Sequence, residues 1–118
     1  KQENMIRSVE EAYDMAAGLL KPDASTREIS AEIEAFFAEG GYEMPHSLGH
    51  GIGLAAHETP FLRNRKNSET ELKSGMVVTI EPGLYSPESG GVRLENDFLI
   101  TPEGAAEALT SSRIYTLP

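Results

Sequence analysis

The pattern of apolar residues changes abruptly at Gly40-Gly41, and this change divides the chain into two kinds of structure. Before the glycine pair, apolar residues recur at three- and four-residue spacing, which is typical of amphipathic helices. After it, glycine is frequent and the apolar runs are short and β-branched, which indicates strands joined by turns. Helices followed by strands, without alternation, predict an α+β fold with a mostly antiparallel sheet.

Two helices are predicted in the first part of the chain. The first covers residues 1–20 and ends before Pro22. The second covers residues 26–39, where Ser25 and Glu28 have the spacing of a capping box and Gly40-Gly41 supplies a left-handed C-terminal cap. The apolar stripes of the two helices contain Met5, Val9, Ala12, Ala16, Leu19 or Leu20, Ile29, Ile33, Phe36 and Phe37.

Two strands are predicted in the second part. Residues 76–80 form an apolar run after a turn at 73–75, which is typical of a buried strand. Residues 92–100 alternate between apolar and polar side chains after a turn at 87–91, which predicts one half-buried strand. Residues 63–71 are polar and are expected to form a loop, and the tail after Pro102 is expected to add an edge strand.

The charge balance and composition exclude several kinds of partner. The 118 residues include 19 acidic and 10 basic side chains, so the net charge is −9. Nucleic-acid binding needs clustered Lys and Arg, and a membrane helix needs about 20 apolar residues, so neither partner is expected. There is no cysteine, which favours a cytoplasmic location and leaves His, Asp and Glu to hold a metal such as Mn, Co or Zn.

All three histidines, His46, His50 and His57, lie within twelve residues. A lone histidine is most often an ordinary polar residue, but three in one glycine-rich segment of an acidic chain indicate a site. The glycines of residues 49–53 lack the spacing of a phosphate-binding loop. They indicate instead a backbone that approaches a neighbour closely and leaves His50 projecting into a cavity.

Two carboxylates are candidates to join the histidines. Glu81 ends the apolar strand, where a charge costs several kcal/mol unless it is paired or metal-bound. Glu95 lies two residues after Arg93, and its pattern alone favours a solvent-facing residue; Glu81 equally fits a strand-end surface position. One imidazole and two carboxylates on neighbouring strands could form a metal site, although a dinuclear hydrolase site usually needs more carboxylates.

Three ordered motifs resemble those of a known family. Residues 46–53, followed by His57-Glu58-Thr59-Pro60, closely resemble the histidine signature of the pita-bread metallopeptidases. Residues 74–85 are similar to that family's first glutamate motif, and residues 91–97 to its second. The Glu-Pro-Gly-Leu-Tyr and Gly-Gly-Val-Arg forms are closer to the Xaa-Pro dipeptidase and aminopeptidase P branch than to the methionine aminopeptidases. The resemblance covers the whole chain and implies the second half of a pita-bread fold.

The resemblance implies a metal centre. His50 and Glu81 would be metal ligands, and Glu95 would bridge two metals. Glu81 would also handle the proton of the nucleophilic water. The family reaction is hydrolysis of the peptide bond before proline by a hydroxide held between two divalent metals, commonly manganese.

The same resemblance gives roles to three further residues. His46 and His57 would line the substrate site and steady the scissile carbonyl or the proline end of a proline-containing peptide. Arg93 would orient the carboxylates of the site from outside the ligand shell.

The family's two aspartate ligands, which come from a strand pair upstream of the first helix, have no counterpart here. Asp14, Asp23 and Asp97 match no aspartate-ligand motif. Residues 1–118 are therefore expected to be the C-terminal part of a metallopeptidase catalytic domain, with three of five ligands and the N-terminal half absent. Alone, such a chain should bind metal weakly or not at all and hydrolyse little.

Two alternatives remain open at this point. The chain could be a non-catalytic module that keeps the fold for binding or association, or a creatinase-like hydrolase of the same fold. A reading frame that continues upstream with two aspartates on a hairpin would favour the peptidase. A half domain is also expected to expose apolar surface, and a symmetric homodimer that covers it is our hypothesis.

Overall fold

The structure is a computed structural model that describes residues 1–118. Helices α1 (Gln2–Leu19) and α2 (Thr26–Glu39) precede all seven strands, and every strand pairing is antiparallel. The predicted α+β layout is therefore confirmed. No helix in the structure combines the length and apolarity needed to cross a membrane.

Local signals set the ends of helix α2. At its start, the Ser25 hydroxyl accepts the backbone N–H of Glu28 at 3.2 Å, which satisfies one of the free amides of the first turn. At its end, Gly41 has φ +78°, a left-handed conformation that glycine adopts without steric cost. Both ends fall at the predicted residues.

The strands form two sheets instead of the single sheet that was predicted. The larger sheet has five strands in the order β2-β1-β3-β6-β7, and β4 pairs with β5 in a separate two-stranded sheet. Strand β7 lies at the edge, as expected for the tail. The strands are β1 (Gly49–Gly51), β2 (Glu58–Leu62), β3 (Val77–Ile80), β4 (Gly83–Ser86), β5 (Gly90–Arg93), β6 (Asn96–Leu99) and β7 (Glu107–Ala108).

The prediction of one strand over residues 92–100 is wrong. The chain leaves β5 at Arg93 and enters β6 at Asn96, in the other sheet. Between them, the backbone N–H of Leu94 donates to the carbonyl of Pro82 at 3.2 Å and ties the crossing to the end of β3. Leu94 stays buried, so alternation of burial continues across a break that the sequence pattern does not reveal.

The five-stranded sheet has one covered face and one open face. The covered face carries Val78, Ile80 and Phe98, which are buried beneath the two helices; the Phe98 ring lies 5.9 Å from that of Tyr13 in α1. The residues between them point the other way because side chains alternate along a strand. On this open face the strand register aligns half-buried side chains, namely Phe61, His50, Val77, Asp97 and Leu99, with Thr79.

Candidate metal centre

His50, Glu81 and Glu95 come together at one end of the open face. His50 lies in the middle of β1, Glu81 directly follows β3, and Glu95 lies in the crossing from β5 to β6. One potential ligand atom from each residue lies within 4.8 Å of the others. His50 Nε2 and Glu81 Oε2 are 3.4 Å apart, and their side chains are 12% and 16% exposed. The structure thus brings together the three residues predicted as ligands.

Glycines on both sides of His50 allow this close assembly. A Cβ on Gly49 would collide with the carbonyl oxygen of Thr79, and one on Gly51 would collide with the carbonyl of Thr59. Strand β1 therefore lies between β3 and β2 with no room for side chains at these two positions. The expected close backbone approach is confirmed, and it presents the His50 ring at the end of β3.

The hydrogen bonding of His50 leaves one ring nitrogen free to bind a cation. Its Nδ1 lies 2.9 Å from the carbonyl oxygen of Gly51. Because a carbonyl can only accept, Nδ1 carries a hydrogen, and the neutral form of the ring directs its Nε2 lone pair towards Glu81. Metal-ligating histidines in proteins are held in this way, with the second nitrogen bonded to a carbonyl or carboxylate.

The electrostatics of the two carboxylates also favour a cation. Burial raises the pKa of Glu95, and the neighbouring Glu81 raises it further through its charge and a hydrogen bond; Arg93 and His50 oppose this shift. Two carboxylates this close repel when both are ionised, and a cation between them removes the repulsion. An imidazole nitrogen with carboxylate oxygens fits a divalent ion such as Mn, Co or Zn.

The remaining predicted residues, His46, His57 and Arg93, do not join this group. The exposed ring of His57 packs on that of His50, with centroids 4.3 Å apart. His46 accepts the Tyr85 hydroxyl hydrogen at Nε2, at 2.8 Å, because its Nδ1 donates to the carbonyl of Ser47. Arg93 ends β5 exposed and lowers the pKa of Glu95 through its charge without a direct ion pair.

Two residues of the site received no role from the sequence. Thr79 contacts both His50 and Glu81, and Tyr85 contacts His46. Thr79 had a usable signal: it is a polar residue inside an apolar strand, two positions before Glu81, and such residues share one face of a strand. Tyr85 lies in the motif quoted above, but its partner is far away in sequence.

Residues 1–102 match the model described as Metallopeptidase family M24, so the chain belongs to this metallopeptidase family. The Xaa-Pro dipeptidase of Pyrococcus horikoshii is 42% identical over 115 residues, which cover 96% of this chain and 32% of that protein. The solved prolidase of Pyrococcus furiosus has 41% identity and a TM-score of 0.87, over 95% of this chain and 33% of its own. The solved X-Pro aminopeptidase of Thermotoga maritima has 33% identity and a TM-score of 0.85, over 94% of this chain and 31% of its own.

The chain spans about a third of the length of these relatives. Its helices and sheets are therefore part of a pita-bread fold, as the motifs predicted. Membership of a metallopeptidase family also implies a divalent metal, and the His50, Glu81 and Glu95 group offers ligands for one.

Proposed function

We propose that the chain is the C-terminal part of the catalytic domain of a dinuclear-metal Xaa-Pro peptidase, which hydrolyses the peptide bond before proline. One observation carries the proposal: His50, Glu81 and Glu95 converge from three separate segments with ligand atoms within 4.8 Å. The printed names of the relatives, Xaa-Pro dipeptidase and X-Pro aminopeptidase, support this substrate class.

In this proposal each residue of the site has a distinct task. The metals, for which manganese is our choice, supply Lewis-acid activation of water and carbonyl. His50, through Nε2, and the carboxylates of Glu81 and Glu95 would hold the metals, with Glu95 common to both ions, and Glu81 would also accept the proton of the attacking water.

The residues around the ligands handle the substrate. His57, exposed beside His50, donates a hydrogen bond to the scissile carbonyl. His46 lines the proline end of the substrate, and its hydrogen bond with Tyr85 fixes the ring. Arg93 orients the carboxylates of the site from outside the ligand shell, and its positive charge opposes the rise in the pKa of Glu95.

The proposal also covers what this chain does alone. We propose that two aspartate ligands come from an N-terminal half of the domain that is packed on the open face. With three of five ligands, residues 1–118 should bind metal weakly and hydrolyse little. Titration with Mn²⁺ or Co²⁺ by calorimetry tests this: weak binding should be lost in His50→Ala and kept in His46→Ala, because the Nε2 of His46 is occupied by Tyr85. Tight binding of two ions would contradict it.

A chimera tests the peptidase activity directly. The matching third of the Pyrococcus horikoshii Xaa-Pro dipeptidase can be replaced by this chain, because the two are 42% identical over 115 residues. We expect the chimera to hydrolyse a dipeptide with proline in second position and to lose this activity in His50→Ala. A folded, metal-loaded chimera that hydrolyses other dipeptides but not this one would contradict the assigned specificity.

The quaternary state and location complete the proposal. For the chain alone, where no N-terminal half covers the open face, we propose a symmetric homodimer in which two open faces cover Phe61, Val77 and Leu99, which are half-buried in one copy. A monomer in sedimentation at micromolar concentration would argue strongly against it. A cytoplasmic location, with neither nucleic acid nor membrane as a partner, is proposed on the acidic, cysteine-free composition and can be checked by fractionation.

A further inference from the structure

The hydroxyl hydrogen of Thr79 points to Glu81. The backbone N–H of His50 donates to Thr79 Oγ1 at 3.0 Å, and Thr79 Oγ1 lies 3.0 Å from Glu81 Oε2. Because an N–H can only donate, the hydroxyl accepts from His50 and its own hydrogen goes to the carboxylate. The Thr79 residue is 1% exposed, so water does not compete for either bond.

One side chain thereby connects the backbone of one candidate ligand to the carboxylate of another. We propose that Thr79 is the positioning residue of the metal centre: its hydroxyl fixes the Glu81 carboxylate relative to β1, and so sets the His50–Glu81 separation for a divalent cation. This inference rests on the metal centre proposed above. The ligand group contains His50, Glu81 and Glu95, and Thr79 acts on it from outside.

The choice of threonine follows from its shape. A β-branched side chain in a strand has restricted χ1 angles, so the hydroxyl stays aimed between β1 and Glu81. Valine keeps that shape without the hydroxyl, and serine keeps the hydroxyl. Replacing residues that support metal ligands typically weakens metal affinity by about 10- to 100-fold, which is the range we expect for Thr79→Val.

Thr26 provides a matched control. It is also fully buried, and its Oγ1 accepts the backbone N–H of Thr70 at 3.0 Å and donates to the carbonyl of Ser68 at 3.1 Å. Thr26→Val therefore removes an equivalent pair of hydrogen bonds, one accepted from a backbone N–H and one donated, from a buried threonine. This threonine lies at the start of α2 instead of at the candidate metal centre. Both valine variants should lose stability, but only Thr79→Val should lose metal affinity. The comparison thus separates the cost to folding from the effect on the metal.

The experiment uses the full chain and Mn²⁺ alone. Paramagnetic broadening of the His50 ring protons during a Mn²⁺ titration measures even weak dissociation constants, and urea unfolding gives the stability of each variant. We expect Thr79→Val to raise the dissociation constant by about 10- to 100-fold. Thr26→Val and Thr79→Ser should stay near the wild-type value.

Each other outcome counts against a defined part of the inference. Equal dissociation constants for wild type and Thr79→Val would overturn the positioning role and leave the metal centre intact. An equal loss of affinity in Thr26→Val, or a full loss in a stably folded Thr79→Ser, would also overturn that role. Should Thr79→Val be unfolded, Thr79→Ser is the remaining test of the positioning role: a dissociation constant near the wild-type value supports that role, and a full loss of binding in the folded variant overturns it. Absence of His50-dependent Mn²⁺ binding both in the wild type and in the chimera described above, which supplies the missing ligands, would overturn the metal centre, and the positioning role with it.

Discussion

Helix α2 and strand β1 are held in the molecule in opposite ways. In α2, large side chains such as Ile33 and Phe37 are almost completely buried against the sheet and α1. In β1, glycines flank the single side chain of His50, and the strand fits because those side chains are missing. Side-chain burial thus stabilises the scaffold, whereas close backbone packing presents the candidate ligand. The two regions should therefore respond in opposite ways to adding or removing atoms.

The largest effect is expected from removing a side chain in α2. Phe37→Ala should lower the free energy of unfolding by about 4 kcal/mol, because a fully buried ring leaves a cavity that its neighbours only partly fill. Urea unfolding measures the loss. Phe61→Ala, on the half-buried open face, is the comparison and should cost clearly less in the monomer, so both variants are measured at a concentration too low for the proposed dimer. Equal losses at both positions would mean that the two faces of the sheet contribute alike.

Adding a methyl group should destabilise strand β1 and leave a helix unharmed. Gly49→Ala should cost about 3 kcal/mol, because its Cβ would overlap the carbonyl of Thr79 and force β1 away from β3. Gly18→Ala in α1 has no atom within 4 Å of the new Cβ, and alanine is the better helix former by up to about 1 kcal/mol. Thermal unfolding of both variants measures the difference. A stable Gly49→Ala chain would contradict the packing described for β1.

The stability gained from Mn²⁺ should depend on His50 in β1 and not on His46, which lies outside the strand. At a Mn²⁺ concentration about 100 times the dissociation constant, the wild type should gain about 2.7 kcal/mol of unfolding free energy. His50→Ala should gain nothing, and His46→Ala should keep most of the gain, because His46 bonds to Tyr85. Chemical unfolding with Mn²⁺, and again after chelation, gives these values. A gain that survives in His50→Ala would place the metal elsewhere.

The smallest effect is expected where α1 contacts β6. The Asn96 side-chain amide donates to the Tyr13 hydroxyl at 3.0 Å, and Tyr13→Phe should cost about 1 kcal/mol. Burial raises the pKa of Tyr13, with a further contribution from Asp14, while the Asn96 hydrogen bond opposes the shift. The unfolded chain therefore loses this proton first, and stability should fall as the pH rises from the ordinary tyrosine pKa through the raised one.

Near-ultraviolet absorbance during an alkaline titration checks this expectation. One of the four tyrosines should ionise late in the wild type, and this late component should be absent in Tyr13→Phe. An unchanged titration curve in the variant would show that the contact between α1 and β6 does not shelter the hydroxyl.

The sequence predicts the helices well because their signals are local. Ser25 and Gly40-Gly41 lie next to the ends that they determine, and the apolar spacing needs only one turn of helix. Strand β1 was not predicted because Gly-His-Gly lacks the β-branched and aromatic residues that mark strands. Its position depends on contact with β3, nearly thirty residues later in the chain.

The candidate site shows the same division between local and distant information. His50, Glu81 and Glu95 were predicted as ligands by resemblance, whereas the pattern around Glu95 alone favoured solvent exposure. Glu95 turns towards Glu81 because the chain crosses between two sheets at Leu94, and that crossing depends on a hydrogen bond to Pro82. Alternating polarity along one segment holds no information about a change of sheet.

The bond from the ring of His50 to the carbonyl of Gly51 has a further consequence. His46 bonds to the carbonyl of Ser47 in the same way, so in both residues the adjacent peptide group selects which nitrogen carries hydrogen. Two chemically equivalent bases then differ only in what the fold places opposite Nε2: a carboxylate after β3 for one, and a phenol from β4 for the other. The neighbouring peptide group thus fixes the hydrogen of both rings in the same way, and the strands opposite Nε2, which belong to different sheets, make one ring a candidate metal ligand and the other a partner of Tyr85.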